Sequence, residues 1–411
     1  MSRRRDVLIA SIAVAAVAAF AAAAAIGVVQ EDLAAYWVAG AVRRLGLDPY
    51  VNHAVGGTVP EALWDGSIFH HSRFIYPPLA AELFRPLGAL PYRAAKVVFT
   101  FAIVAAWIAA SRLLAPGRRA GAALLAAGAL FFPLWLGIER GQIDLLLLLL
   151  IALAWRARER ALVAGALFAL AAVFKPALLV AVPVIAALGR WRWAAAIAGW
   201  CVAAALATVA VSGPTLVRTY AVSVLPRTIL YGSGGTDDMA YHERAFERFY
   251  VDEHGEWQSV DGHPYRDWLP VFDRPVSASI PRLLAPETPS WPTTVPPVLA
   301  ASAALIWAAR RRARTQADDD GGERLLLAAA LIACVVTSPT GWTMGLVWAL
   351  PIAPLVWTAA PDRWARATRW SLRGAWIACA VPAPFVGWGA LAGTALAVAA
   401  GRAALERERR A

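Results

Sequence analysis

Lysine is nearly missing from this chain: only Lys96 and Lys175 occur among 39 basic residues in 411. Charge of either sign is scarce, at 16% of the composition, against 59% hydrophobic residues and a mean hydropathy of +0.54. A soluble chain of this length divides into domains with charged surfaces, and such surfaces are lacking here. Cysteine is equally sparse. Cys201, Cys334 and Cys379 lie inside apolar runs without metal-ligand spacing, which reads as buried thiols and implies no disulfides. There is no Gly-x-Gly-x-x-Gly after a strand pattern and no Asp-x-Asp motif in a soluble domain, so no Rossmann-type nucleotide site is visible. The formal charge of +11 does not point to nucleic acid. Most arginines occupy short loops between apolar runs, where they set membrane topology and meet anionic headgroups.

What the chain does contain is a succession of apolar segments separated by arginine clusters. The expected class is an all-α polytopic membrane protein, a single membrane domain over 1–411 with about 12 (10–13) transmembrane helices. Alanine and arginine excess with so little lysine suggests a high-GC bacterial genome. Val7 to Val29 carries no charge over 23 residues, about 34 Å of helix, long enough to cross a bilayer. Arg3, Arg4 and Arg5 precede it, so the positive-inside bias places the N-terminus in the cytoplasm and Glu31 and Asp32 outside. The run is too long for a cleaved signal and reads as a permanent helix.

A first outer loop spans 30–92. Leu33 to Leu45 is expected to be a short helix on the membrane surface, with Trp37, Ala41 and Leu45 on one face. Pro77-Pro78 breaks the backbone pattern farther on. Crossings follow at Arg93–Leu114, Gly121–Ile138 and Leu145–Trp155. Ala161–Leu188 starts and ends beside cytoplasmic arginines, and Pro176 divides it into two arms with Lys175 at the tip. Each arm is too short for a comfortable crossing, and an unpaired lysine there would be costly and functional. Trp193–Val211 leads to a long outer loop, 212–294, with eleven acidic residues against seven arginines. A cytoplasmic loop covers 310–324, where Asp318-Asp319-Asp320 reads as solvated. Later crossings end in a cytoplasmic tail at 402–411. No internal repeat of the transporter type is evident.

Polar residues collect at the expected outer helix ends: Asp32, Tyr36, Arg73, Tyr76, Glu139, Arg140, Gln142, Asp144, Lys175, Arg227 and Trp342. A cavity built from them would hold cations for a phosphate, aromatic faces for a sugar, and a carboxylate to take a proton from a hydroxyl. A transporter of an anionic solute would need similar cations, and these residues alone do not separate the two. The six histidines, at 53, 70, 71, 242, 254 and 263, all fall in outer loops, with no spacing that marks a metal site.

In order along the chain, Asp32, Tyr36, Gly46, Asp48-Pro49-Tyr50, Tyr76-Pro77-Pro78-Leu79 and Pro86-Leu87 resemble the opening of the glycosyltransferase family 87 enzymes. Gly141-Gln142-Ile143-Asp144, Lys175-Pro176 and Ser338-Pro339-x-x-Trp342 continue the resemblance, which covers roughly 1–360. It implies a C-type glycosyltransferase fold in the bacterial cytoplasmic membrane, acting on its outer, periplasmic face. The donor it implies is a polyprenyl-phosphate sugar, commonly mannose or arabinofuranose, with a cell-envelope glycan or glycolipid as acceptor and no cofactor. Asp32 matches the family's catalytic base. Tyr36, Arg73, Tyr76, Arg140, Gln142, Lys175, Arg227 and Trp342 are the expected substrate-binding residues. Relatives often carry Ser-Pro-x-Ser/Thr-Trp-x-His at the late motif, and here the histidine position is Met344. Two rival readings stand beside this one: a permease or flippase for an anionic or lipid-linked solute, and an inactive relative that binds lipid phosphate.

Overall fold

In the computed structural model the described residues are 3–27, 30–50, 74–115, 117–228, 249–251, 257–259, 277–285, 289–314, 320–353, 365–385 and 387–408. They are overwhelmingly helical. The apolar N-terminal run forms α1 (Arg3–Gly27), and α2 (Glu31–Arg44) follows it almost immediately. Pro78 opens α3 (Pro78–Leu83), since proline's fixed φ suits a helix start. A single 3₁₀ turn, Leu87–Ala89, leads to α4 (Tyr92–Leu114). Next come α5 (Arg118–Ala129), α6 (Phe132–Glu139), α7 (Asp144–Arg156) and α8 (Ala161–Phe174). Proline stops α8 as expected, and the chain continues as a 3₁₀ segment, Pro176–Ala181, and α9 (Val182–Ala187). The long α10 (Trp191–Ser212) ends at Gly213, whose φ of +83° precedes Pro214.

Short helices α11 (Pro214–Thr219) and α12 (Leu225–Arg227) flank a π-turn, Tyr220–Val224. Strands β1 (Phe249–Val251) and β2 (Trp257–Ser259) pair antiparallel, Tyr250 opposite Gln258. Then come α13 (Ile280–Leu284), α14 (Trp291–Arg314) and α15 (Asp320–Thr337). A ten-residue 3₁₀ helix, Thr343–Ile352, is buried along its whole length. The described chain closes with α16 (Arg366–Ala380) and α17 (Trp388–Glu408).

Among the described residues five helices are long and apolar enough to cross a membrane: α1, α4, α10, α14 and α17. A sixth span is available if α5 and α6, bent by 64° at Leu130–Phe131, act together. The expected count of about twelve is therefore not reached among the described residues. Several apolar runs that read as crossings are divided by proline or glycine. Gly121–Ile138 bends ahead of Pro133, and the Ala161–Leu188 run is split at Pro176. The two-arm expectation for that run is met.

The surface-helix expectation for α2 is corrected. Leu33 through Val42 are all buried, so there is no wet face along that stretch. Neighbouring backbone presses directly on it: a Cβ at Gly40 would lie 2.2 Å from the Phe84 carbonyl oxygen, and one at Gly88 would lie 2.3 Å from the Ala41 nitrogen. Periodicity showed one apolar face, but small residues on the other faces let α3 and the following turn close over it.

One end of the bundle gathers Leu114, Glu159, Arg190, Glu323 and Arg324. Arg190 pairs with Glu159 at 2.8 Å and Glu323 at 3.3 Å, and Arg324 donates to the Leu114 carbonyl at 2.7 Å. These are the termini that the arginine clusters assign to one side. The ends assigned to the other side, from Gln30, Gly141, Lys175 and Ser338, meet around the site described next.

Candidate functional site

The site begins with two left-handed turns packed against each other. Gln30 has φ +59°, a conformation that non-glycine residues seldom adopt. It is held there because its side chain donates to Thr100 Oγ1 (3.0 Å) and to the Ile138 carbonyl (2.9 Å), while Tyr92 donates to its own carbonyl (3.3 Å). Gly141 has φ +68°, and a Cβ there would lie 2.6 Å from Leu33 Cβ and 3.1 Å from Gln30 Cβ. The Asp32 amide donates to the Arg140 carbonyl at 3.1 Å, which joins the two turns. Glu31 and Asp32 consequently occupy the first turn of α2, where the helix dipole favours carboxylates.

From this junction a directed hydrogen-bond chain runs inward. Gln142 Nε2 donates to Asp32 Oδ2 at 2.7 Å, which fixes the amide so that Oε1 faces away from the carboxylate. Tyr36 donates to that Oε1 at 3.1 Å. Having spent its only proton, the Tyr36 hydroxyl accepts at 3.0 Å from Tyr76. Burial, then the neighbouring Tyr76 and the Asp32 carboxylate, push the Tyr36 phenol well above its ordinary ionisation range, so it stays a donor. The amide keeps its orientation, and the chain positions Asp32 rather than relaying protons.

Tyr76 also lines a cavity of about 280 Å³. Its other walls include Phe174, Lys175, Tyr220, Trp342 and Trp348. Among the described residues Lys175 is the one cation on the wall. The expectation of an unpaired lysine is corrected: Nζ donates to Asp144 Oδ2 at 2.8 Å. Asp144 is brought there because the Gly141 turn starts α7 beside the α8 break. Nζ also lies 5.7 Å from the centre of the Trp348 ring, whose Nε1 donates to the Asp144 carbonyl at 3.2 Å.

The remaining expected site residues divide. Arg140 is ion-paired with Glu31 and lies 3.4 Å from Glu139, beside the Asp32 turn, and neither it nor Asp32, Tyr36 or Gln142 is among the cavity-lining residues. Arg227, half-buried, stands between Leu225 and Thr228, both on the cavity wall. Arg73 and all six histidines lie outside the described residues. Trp342 is on the wall, held from behind by the 277–285 segment. Ala278 donates to the Gly341 carbonyl at 2.8 Å, Arg282 donates to the Pro339 carbonyl at 2.7 Å, and the Arg282 guanidinium lies 5.3 Å from the Trp342 ring centre. Met344 is not among the cavity-lining residues; it is buried in an apolar cluster with Phe132 and Leu136, against which Trp342 packs.

Sequence reasoning placed Gln30 at the start of the stretch that carries Asp32 without giving it a role, and did not single out Tyr220 or Trp348. Trp348 could have been found from its place six residues after Trp342 in an apolar stretch. Tyr220 carries no local signal, since only the fold of the α11–α12 segment brings it to the cavity.

Residues 74–241 match the model of glycosyltransferase family 87. No curated protein and no solved structure matches the chain. The matched segment contains Tyr76-Pro77-Pro78-Leu79, Gly141-Gln142-Ile143-Asp144 and Lys175-Pro176, while Asp32 and Trp342 lie on either side of it. The match covers less than half of the chain and marks that segment as similar to glycosyltransferase family 87, while the apolar helices suit a multi-pass membrane protein.

Proposed function

From the match of residues 74–241 to glycosyltransferase family 87, we propose that the chain transfers a sugar, mannose or another hexose, from a polyprenyl-phosphate donor to a cell-envelope glycan or glycolipid. The reaction takes place on the outer face of the bacterial cytoplasmic membrane. Asp32 is the base. It removes the proton from an acceptor hydroxyl, whose oxygen attacks the anomeric carbon as the bond to the lipid phosphate breaks. The configuration inverts, so a β-linked donor gives an α-linked product. Lys175 faces the phosphate oxygens and offsets their charge as the phosphate leaves. Trp342, Tyr76 and Trp348 offer aromatic faces to the sugar. Arg140 supports the base by holding Glu31 and, through its carbonyl, the start of α2. No cofactor takes part. Arg73 and Arg227 are further candidate phosphate contacts.

The observation that carries this reading is the hydrogen-bond chain Asp32–Gln142–Tyr36–Tyr76, which ties a carboxylate to the wall of a cavity that also presents Lys175. Asp32 is joined to the wall through Gln142 and Tyr36 and is not itself among the cavity-lining residues. A permease needs the cation but has no use for a carboxylate oriented in this way.

Purified protein supplied with a radiolabelled polyprenyl-phosphate hexose and envelope glycolipid acceptors tests it. Asp32→Asn should lower kcat on the order of 10²–10⁴-fold while donor binding persists. Turnover close to wild type in that variant removes Asp32 from the chemistry. Movement of unmodified solute in proteoliposomes, with no new glycosidic bond, favours transport instead.

A further inference from the structure

Asp144 is 1% exposed, yet only one of its carboxylate oxygens is satisfied by a side chain. Oδ2 takes the Lys175 ammonium at 2.8 Å, and Oδ1 accepts no hydrogen bond among the described residues. Half-satisfied buried carboxylates are an expensive means of merely holding a lysine, since a neutral amide would accept the same hydrogen bond. What the carboxylate adds is a full negative charge that water does not screen, directly behind the one cation lining the cavity.

We propose that Asp144 is a positioning residue that tempers the affinity of the cavity for phosphate. It aims Nζ of Lys175 at the cavity wall and, by its own charge, weakens the grip on an anion bound there, so that the lipid-phosphate product leaves. This rests on the polyprenyl-phosphate reading above. The placement supports it. Asp144 sits in the first turn of α7, a position that suits an acidic side chain, and Trp348 pins its backbone carbonyl. Lys175 ends α8 at a proline break, so its backbone is fixed as well. Of its three ammonium protons one points to Asp144, which leaves two donors for a phosphate.

The test measures binding of a short-chain isoprenyl phosphate to the detergent-purified full chain, with the matching isoprenol as neutral control. Asp144→Asn should bind the phosphate roughly ten- to a hundred-fold more tightly, the size of one buried charge acting at an effective dielectric near 20. Isoprenol affinity should not change. In turnover, kcat and KM should fall together and inhibition by added lipid phosphate should deepen, a split that a loss of packing would not produce. Phosphate binding by Asp144→Asn that is unchanged or weaker overturns the proposal.

A second comparison covers a folding defect in that variant. Lys175→Gln should bind phosphate weakly, and Lys175→Gln with Asp144→Asn should recover part of the affinity, because the unpaired carboxylate has gone. Equal affinity in those two variants overturns the proposal. If Asp144→Asn binds phosphate more tightly but the unsubstituted chain transfers no sugar, the tempering role stands and the glycosyltransferase reading falls.

Discussion

Gln142 and Asp32, 110 positions apart in the chain, share a 2.7 Å hydrogen bond whose direction fixes the orientation of the Gln142 amide. The amide nitrogen must face the carboxylate, so the amide oxygen must face Tyr36. Gln142→Leu removes both contacts. It should lower kcat by about 10²-fold, as expected when a reacting group is misplaced by about an ångström, with little change in donor KM. Gln142→Glu is the more telling variant. Two carboxylates at this distance cannot both stay ionised easily, so the pair should hold a proton to higher pH. The acid limb of kcat/KM should then move upward in pH. A pH profile identical to wild type would disconnect Gln142 from the base.

Gly141 should not tolerate a side chain. Gly141→Ala asks an L-residue to hold φ +68°, at about 1–2 kcal/mol, and places its Cβ 2.6 Å from Leu33 Cβ. The clash lies at the junction that orients Asp32. Thermal unfolding in detergent should show a lowered midpoint, and residual enzyme should lose activity out of proportion to its loss of stability.

Restoring the family's histidine should not help this protein. Met344→His puts an imidazole among Phe132 and Leu136, where it finds no water. An unsatisfied buried polar group costs about 1–3 kcal/mol. The expected result is a less stable enzyme with unraised turnover, read by unfolding and by initial rates side by side. A gain in kcat would show that the side chain reaches the cavity after all.

Tyr36 supplies the pH prediction. Its folded-state pKa is raised by burial above the ordinary value near 10, so the proton is held more tightly in the folded chain than in the unfolded one. The sign follows: this stabilisation is complete below about pH 10 and is lost as pH rises beyond it. Tyr36 should contribute no alkaline limb to activity between pH 7 and about pH 10. Tyr36→Phe should behave as the loss of one donor to Gln142, about 1 kcal/mol or roughly five-fold in kcat, at every pH in that window. Activity titrating in this window in wild type and flat in Tyr36→Phe would contradict it.

The helical fold was legible in the sequence, because apolar runs of about twenty residues or more satisfy their own backbone hydrogen bonds as helices, and five such helices are long and apolar enough to cross a membrane among the described residues. The position of Pro176 likewise gave away the break at Lys175-Pro176, since proline acts locally. The motifs pointed to the family resemblance, and the family match covers the stretch in which three of them lie. The number of long spans was not legible, because whether an alanine-rich run bends at a proline or glycine is decided by what packs against it. Nor was the burial of α2, since Gly40 and Gly88 reveal their purpose only when Phe84 and Ala41 are seen pressed against them. Pairing is the largest gap. That Lys175 belongs to Asp144, and Asp32 to Gln142, follows from two left-handed turns stacking side by side, a contact between distant segments that local propensity does not encode.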